Sequence, residues 1–216
     1  MRRQGILHGF LVLALAMGAA LSIKPAAATV IGFDDLTDSG NGTAIANGYQ
    51  GLDWNNFDVL NTADFTANVG ANGAAAGTTS PPNIAFNGNG DFASFTSTST
   101  FNLVSADMTA FWNDGMTVTV TGLLNGTRVD TETVTVNSTS PTLETFTFAD
   151  INEVDITTSG GTQNNNYAGS GTEVAIDDLT ITPTQVSVPE PSTLALFAAG
   201  LAGFLGLGLM RRRKAG

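Results

Sequence analysis

Residues 116–121, MTVTVT, alternate apolar and polar positions without a break, and among regular elements only a strand has that two-residue period. NGT at 125–127 supplies a turn, and TRVDTETVTV at 127–136 returns with the same alternation, so 116–136 is expected to form a hairpin. Further strands are expected at 30–36, 55–61, 91–98, 101–112, 143–148, 153–158 and 173–182, separated by Gly, Asn and Ser. No stretch between Thr29 and Ser187 carries a helical period. Segments 70–83 and 158–171 read as long polar loops, which in a domain of this size are either disordered or functional. The pattern predicts an all-β domain over 29–187, a β-sandwich rather than a parallel sheet.

The two ends break this pattern. Arg2 and Arg3, an apolar stretch from Phe10 to Leu21, and small residues at Ala26 and Ala28 have the layout of a secretory signal peptide. Residues 1–28 are read as that signal, with cleavage after Ala28. At the other end, Leu194 to Met210 is an uncharged run of 17 residues followed by Arg211, Arg212, Arg213 and Lys214. As a helix it would span roughly 25 Å at ~1.5 Å per residue, slightly short of a bilayer core of about 30 Å. The basic tail would stay cytoplasmic, leaving the body outside.

Just before that run stand Val188, Pro189, Glu190, Pro191, Ser192 and Thr193. The order Pro-Glu-Pro, apolar helix, basic tail resembles the PEP-CTERM sorting segment of Gram-negative bacteria, here 188–216. The resemblance implies recognition by an exosortase, a membrane protease or transpeptidase. It also implies an association with exopolysaccharide and biofilm matrix. Proline removes a backbone donor and holds the chain extended ahead of the helix, which suits a protease cleft at the membrane surface. A second, more diffuse resemblance covers residues 47–59, 101–122 and 170–182. Together these look like the jelly-roll sandwich of secreted glycan-associated proteins.

Composition then narrows the chemistry. The body keeps one cation, Arg128, against 18 acids, a formal charge of −17. Such a surface repels phosphate backbones, which excludes nucleic acid and leaves cations or neutral glycans as partners. The chain has no cysteine, and its single histidine, His8, lies in the signal segment. Without His, Cys or Lys the body lacks the groups for Ser-His-Asp, Cys-His or Schiff-base catalysis. Carboxylate chemistry of the glycosidase kind would need two acids facing one cleft. No spacing singles out such a pair, so a non-catalytic surface or matrix protein that binds extracellular polysaccharide is the expected function. A glycoside hydrolase and a structural or ice-associated surface protein are the alternatives.

Three features are candidate sites. The body opens with IGFDDL and closes with VAIDDLTIT, so paired first and last strands would bring Asp34, Asp35, Asp177 and Asp178 together. Alternation would let about one acid of each pair share a site, and a structural Ca²⁺ would relieve their repulsion. Tyr167 stands in a loop with Asn164, Asn165 and Asn166, an aromatic face beside amides that suits a neutral sugar. Trp54 and Trp112 are assigned to the core. Thr117, Thr119 and Thr121 share one strand face and would stand opposite Thr131, Thr133 and Thr135. Such rows could order water, and they are also ordinary outward residues of a hairpin.

Overall fold

A computed structural model of the chain describes residues 27–184. The signal segment, its cleavage point and the sorting segment with its apolar run lie outside the described residues. The strands are β1 (Thr29–Ile31), β2 (Thr43–Ala44), β3 (Asp53–Asn55), β4 (Phe57–Asn61), β5 (Asn83–Asn87), β6 (Ala93–Ala110), β7 (Asn113–Leu124), β8 (Thr127–Val136), β9 (Thr142–Gln163) and β10 (Val174–Pro183). Two short helices, α1 (Thr62–Val69) and α2 (Gly73–Gly77), lie between β4 and β5. Among the described residues no helix is long and apolar enough to cross a membrane.

The domain is all-β, as the alternation predicts, and the expected hairpin is β7–β8. Met116, Val118, Val120, Val134 and Val136 point inward and are buried. Thr117, Thr119 and Thr121 stand opposite Thr135, Thr133 and Thr131 on the outward face. On the other side of β7 the same rows continue into Ser159, Thr157 and Asp155 of β9.

Ten strands form one hydrogen-bonded sheet, eight of them in the order β2-β4-β5-β10-β6-β9-β7-β8, with β1 beside β10 and β3 beside β6. Two long strands let it fold over into a sandwich. The first half of β6 lies between β3 and the second half of β9, whereas its second half lies between β10 and the first half of β9. The register breaks between Thr96 and Phe101, where β6 passes from one layer to the other. Gly122 of β7 shows the layers meeting, because a Cβ there would stand 2.8 Å from the Phe148 ring, on the half of β9 that β7 does not pair. The main core, including Phe33, Trp54, Phe57, Phe95 and Phe148, fills the space between.

Several expected boundaries change. The strands expected at 91–98 and 101–112 are one bent strand, and those at 143–148 and 153–158 are likewise one, running on to Gln163 through half of the expected second loop. The expected strand at 30–36 ends at Ile31, because Phe33 takes a left-handed φ of 62° and Asp34–Leu36 form a turn. The expected absence of helix is corrected by α1 and α2. The Asn61 side chain accepts from the amides of Ala63 and Asp64, and the Asn72 side chain accepts from the amide of Ala75. These are N-caps that satisfy otherwise orphaned donors. The helices are held by a second apolar cluster on the outer face of one layer: Leu60, Ala74, Ile84, Phe86, Phe111, Trp112 and Ala175, with Phe65, Val69 and Tyr167 against it.

Candidate functional site

At the edge of that second cluster opens a cleft of about 200 Å³, lined by Asn41, Asp58, Phe65, Phe86, Asn89, Phe111, Trp112 and Glu173. Its walls follow from register. Asp58 of β4 is the cross-strand partner of Phe86 of β5, and Phe86 in turn faces Ala175 of β10. Glu173 lies two residues before Ala175, and its carbonyl accepts from the Phe111 amide. Phe65 comes from α1. Ring centroids link the four aromatics: Phe86–Phe111 at 5.1 Å, Phe65–Phe111 and Phe111–Trp112 at 6.1 Å, Phe65–Trp112 at 6.2 Å.

Two glycines shape the walls. Gly169 lies directly against the Trp112 ring, so any side chain there would displace the indole. Gly42, at φ 98°, lets the loop before β2 pass close over the Phe86 ring.

The cleft is acidic. Glu173 Oε2 is buried and has no hydrogen-bond partner among the described residues. Burial pushes the Glu173 carboxyl above its ordinary pKa, partly offset by its own backbone amide and the Trp112 indole. Asp58 is pushed up by burial and then by the neighbouring charge of Asp38. Both shifts arise because a low-dielectric wall disfavours the charged form.

The strands beside the acid pairs, the first and the last, do run side by side. β1 and β10 pair antiparallel, with Ile31 opposite Leu179. Asp34 Oδ2 and Asp178 Oδ1 both flank Gly32. Asp35 turns away and accepts from the Tyr49 hydroxyl at 2.7 Å. The expected alternation fails on β10, where Asp178 sits at φ 48° in a register shift, so consecutive acids turn toward the same loop. Asp177 is fully buried and accepts from the amides of Thr79, Ser80 and Asp178 and from the hydroxyls of Thr79 and Ser80. Burial raises its pKa against these donors. Among the described residues no three His, Cys, Asp or Glu side chains are grouped to hold a metal ion.

The Asn-rich loop is engaged internally. Asn164 is only 8% exposed and its side-chain amide donates to Ser138 Oγ. The Tyr167 hydroxyl donates to the Ser138 carbonyl at 2.8 Å, while Asn165 and Asn166 remain exposed. The loop holds Trp112 instead, with the Asn164 amide donating to the Trp112 carbonyl and Gly169 backing the ring. Trp54 is core, as expected, and its indole donates to the Tyr49 carbonyl. Trp112 is 7% exposed, core on one side and cleft wall on the other. Sequence reasoning missed Asp58, Phe86 and Glu173. The run IAF at 84–86 is apolar on both faces, which was the available signal.

Residues 187–214 match the PEP-CTERM protein-sorting motif, which marks the chain for export and C-terminal sorting to the cell surface. No curated protein matches the chain. Among solved structures, a DUF4465 family protein from Bacteroides caccae is 14% identical, with a TM-score of 0.46 over 74% of this chain and 94% of its own. A family 61 carbohydrate-binding module in complex with β-1,4-galactotriose is 8% identical, with a TM-score of 0.36 over 64% and 94%. The tandem family 22 modules of a Paenibacillus barcinonensis protein are 10% identical, with a TM-score of 0.40 over 80% and 50%. Resemblances this loose assign no ligand.

Proposed function

We propose that this is an exported, exosortase-processed surface or matrix protein whose jelly-roll body binds extracellular polysaccharide without cleaving it. One observation carries the reading. The cleft sets an aromatic wall of Phe65, Phe86, Phe111 and Trp112 beside carboxylates and the amides of Asn41 and Asn89. Sugar rings present C–H faces that pack on aromatic rings and hydroxyls that need polar partners. The volume is below the roughly 300–1,000 Å³ of drug-sized pockets, so the cleft suits one ring of a polymer held by its rim.

The test is calorimetric titration of the protein with polysaccharide from its own matrix. Trp112→Ala is expected to weaken binding by about tenfold or more, as removal of a buried aromatic anchor does. Undiminished binding would place the sugar elsewhere. Hydrolysis is the second reading, favoured because Asp58 and Glu173 share one cleft and both hold protons above the ordinary range. Release of reducing ends that Glu173→Gln abolishes would replace the binding reading with it. The tail reading is checked by intact mass: a product ending near Pro191 is the expected result of processing.

A further inference from the structure

We propose that the cleft recognises a protonated amine, so that the saccharide it selects is an amino sugar with its amino group free. The inference rests on the polysaccharide reading and names its chemical class. Four aromatic residues, Phe65, Phe86, Phe111 and Trp112, line a common space that Asp58 and Glu173 also line. Aromatic faces carry negative quadrupole potential, and a cation seated against them is attracted more strongly once desolvated.

Glu173 supplies the second, independent feature, a buried Oε2 with no hydrogen-bond partner; of the four such side-chain oxygens among the described residues, on Thr109, Asp155, Glu173 and Thr184, it alone belongs to a residue lining the cleft. A buried carboxylate oxygen without a donor costs free energy, and a ligand that brings the donor recovers it. An ionised carboxylate only accepts. A sugar hydroxyl offers it one weak donor, whereas an ammonium offers three donors and the opposite charge. No side chain of the domain can play that part. Arg128 is the only Lys or Arg among the described residues, and it lies on β8, at the far end of the sheet path from β4 and β5. Asn41 and Asn89 at the rim leave amides for the hydroxyls of the same ring.

The decisive comparison uses the full-length protein in a sugar-free detergent at neutral pH, titrated with three β-1,4-linked tetramers: glucosamine, N-acetylglucosamine and glucose. The glucosamine tetramer is expected to bind about tenfold tighter than either neutral one, the scale of a desolvated cation–π contact with a charge-assisted hydrogen bond. Glu173→Gln and Asp58→Asn should each bring that ratio toward one. Asp130→Asn, a change on exposed β8, should leave it intact. A preference that survives both cleft variants is general attraction to an acidic surface and overturns the inference. Equal binding of all three tetramers overturns the inference and leaves the polysaccharide reading standing. Binding of methylammonium in the cleft with no tetramer bound supports amine recognition and overturns the polysaccharide reading. No binding of any probe overturns both. Near-ultraviolet circular dichroism of each variant confirms the fold, and the two cleft substitutions provide independent tests.

Discussion

Asp177 and Glu173 stand four residues apart, one inside β10 and one just before it, and their surroundings are opposite. Asp177 is buried beneath Thr79 and Ser80 and accepts five hydrogen bonds. Glu173 is partly covered, faces an aromatic cleft and leaves one buried oxygen with nothing. Both are acids within five residues of one another in sequence, so counting carboxylates does not distinguish them. Pairing does. A carboxylate saturated by backbone donors holds a loop in place, and one left open beside an aromatic wall is available to a ligand.

The largest expected effect is therefore at the saturated acid. Asp177→Ala would remove the acceptor of the Thr79, Ser80 and Asp178 amides, while the Thr79 and Ser80 hydroxyls keep Asp178 within reach. At about 1–3 kcal/mol per unpaired group, and with the loop partly open to water, a loss of roughly 2–3 kcal/mol is expected. Denaturant unfolding measures it, and a loss below about 1 kcal/mol would mean that the loop is held by other contacts. The open acid should behave with the opposite sign. Glu173→Gln removes a charge that burial disfavours and is expected to stabilise the free protein by up to about 1 kcal/mol at neutral pH while weakening ligand binding. Destabilisation by the same substitution would show Glu173 to be a structural group like Asp177.

The same contrast explains what the sequence disclosed. Strict alternation made the β7–β8 hairpin readable: β8 has the expected bounds, and β7 extends the expected 116–121 by three residues at each end. The β1–β10 pairing was readable from the echo of IGFDDL in VAIDDLTIT. The cleft was not, because most of its walls come from α1 and from residues between strands, and the one strand that supplies an aromatic, β5, is buried throughout, where periodicity says nothing. The helix α1 was hidden for a related reason. Ala63, Phe65, Ala67 and Val69 recur every second residue, so their spacing imitates a strand, and only the Asn61 cap marks the helix start. Tyr167 and the asparagines drew attention as polar aromatic chemistry, yet their neighbours in space, Ser138 and Trp112, make them supports for the site. The bulge at Asp178 is equally invisible in a period-two reading, and it turns two consecutive acids toward one loop.

Acidification should sharpen the comparison more gently. Asp58, Glu144, Asp155, Glu173 and Asp177 all titrate above the ordinary carboxylate range, chiefly through burial. Their folded pKa exceeds the unfolded one, so between neutrality and that range the folded state holds more protons and stability rises as pH falls. Asp114 runs the other way. The Ser138 amide and hydroxyl hold its pKa down, so its contribution is lost only below the ordinary range. The melting temperature is expected to climb by about 2–5 °C on acidification from neutrality, given roughly 2–4 °C per kcal/mol in a domain of this size. Glu173→Gln should flatten part of that slope, whereas a melting temperature that falls steadily from neutrality would mean that paired carboxylates dominate.

The smallest effect is expected from calcium. A cation clamp at the chain ends needs oxygens with free lone pairs, and 6–8 of them. Asp177 has committed its own to five donors, and Asp35 is engaged by Tyr49. That leaves Asp34 and Asp178 on either side of Gly32, with the Asn83 amide donating to Asp34 Oδ1 and the Ser80 hydroxyl 3.0 Å from Asp178 Oδ1. Two carboxylates, each already accepting, make a weak site. Chelator is therefore expected to leave the melting temperature unchanged. A rise with added calcium that Asp34→Asn and Asp178→Asn each abolish would put the ion between them. The ends of the domain would then be held by a metal as well as by the β1–β10 ladder, and the contrast between a saturated latch and an open cleft would rest on Asp177 alone.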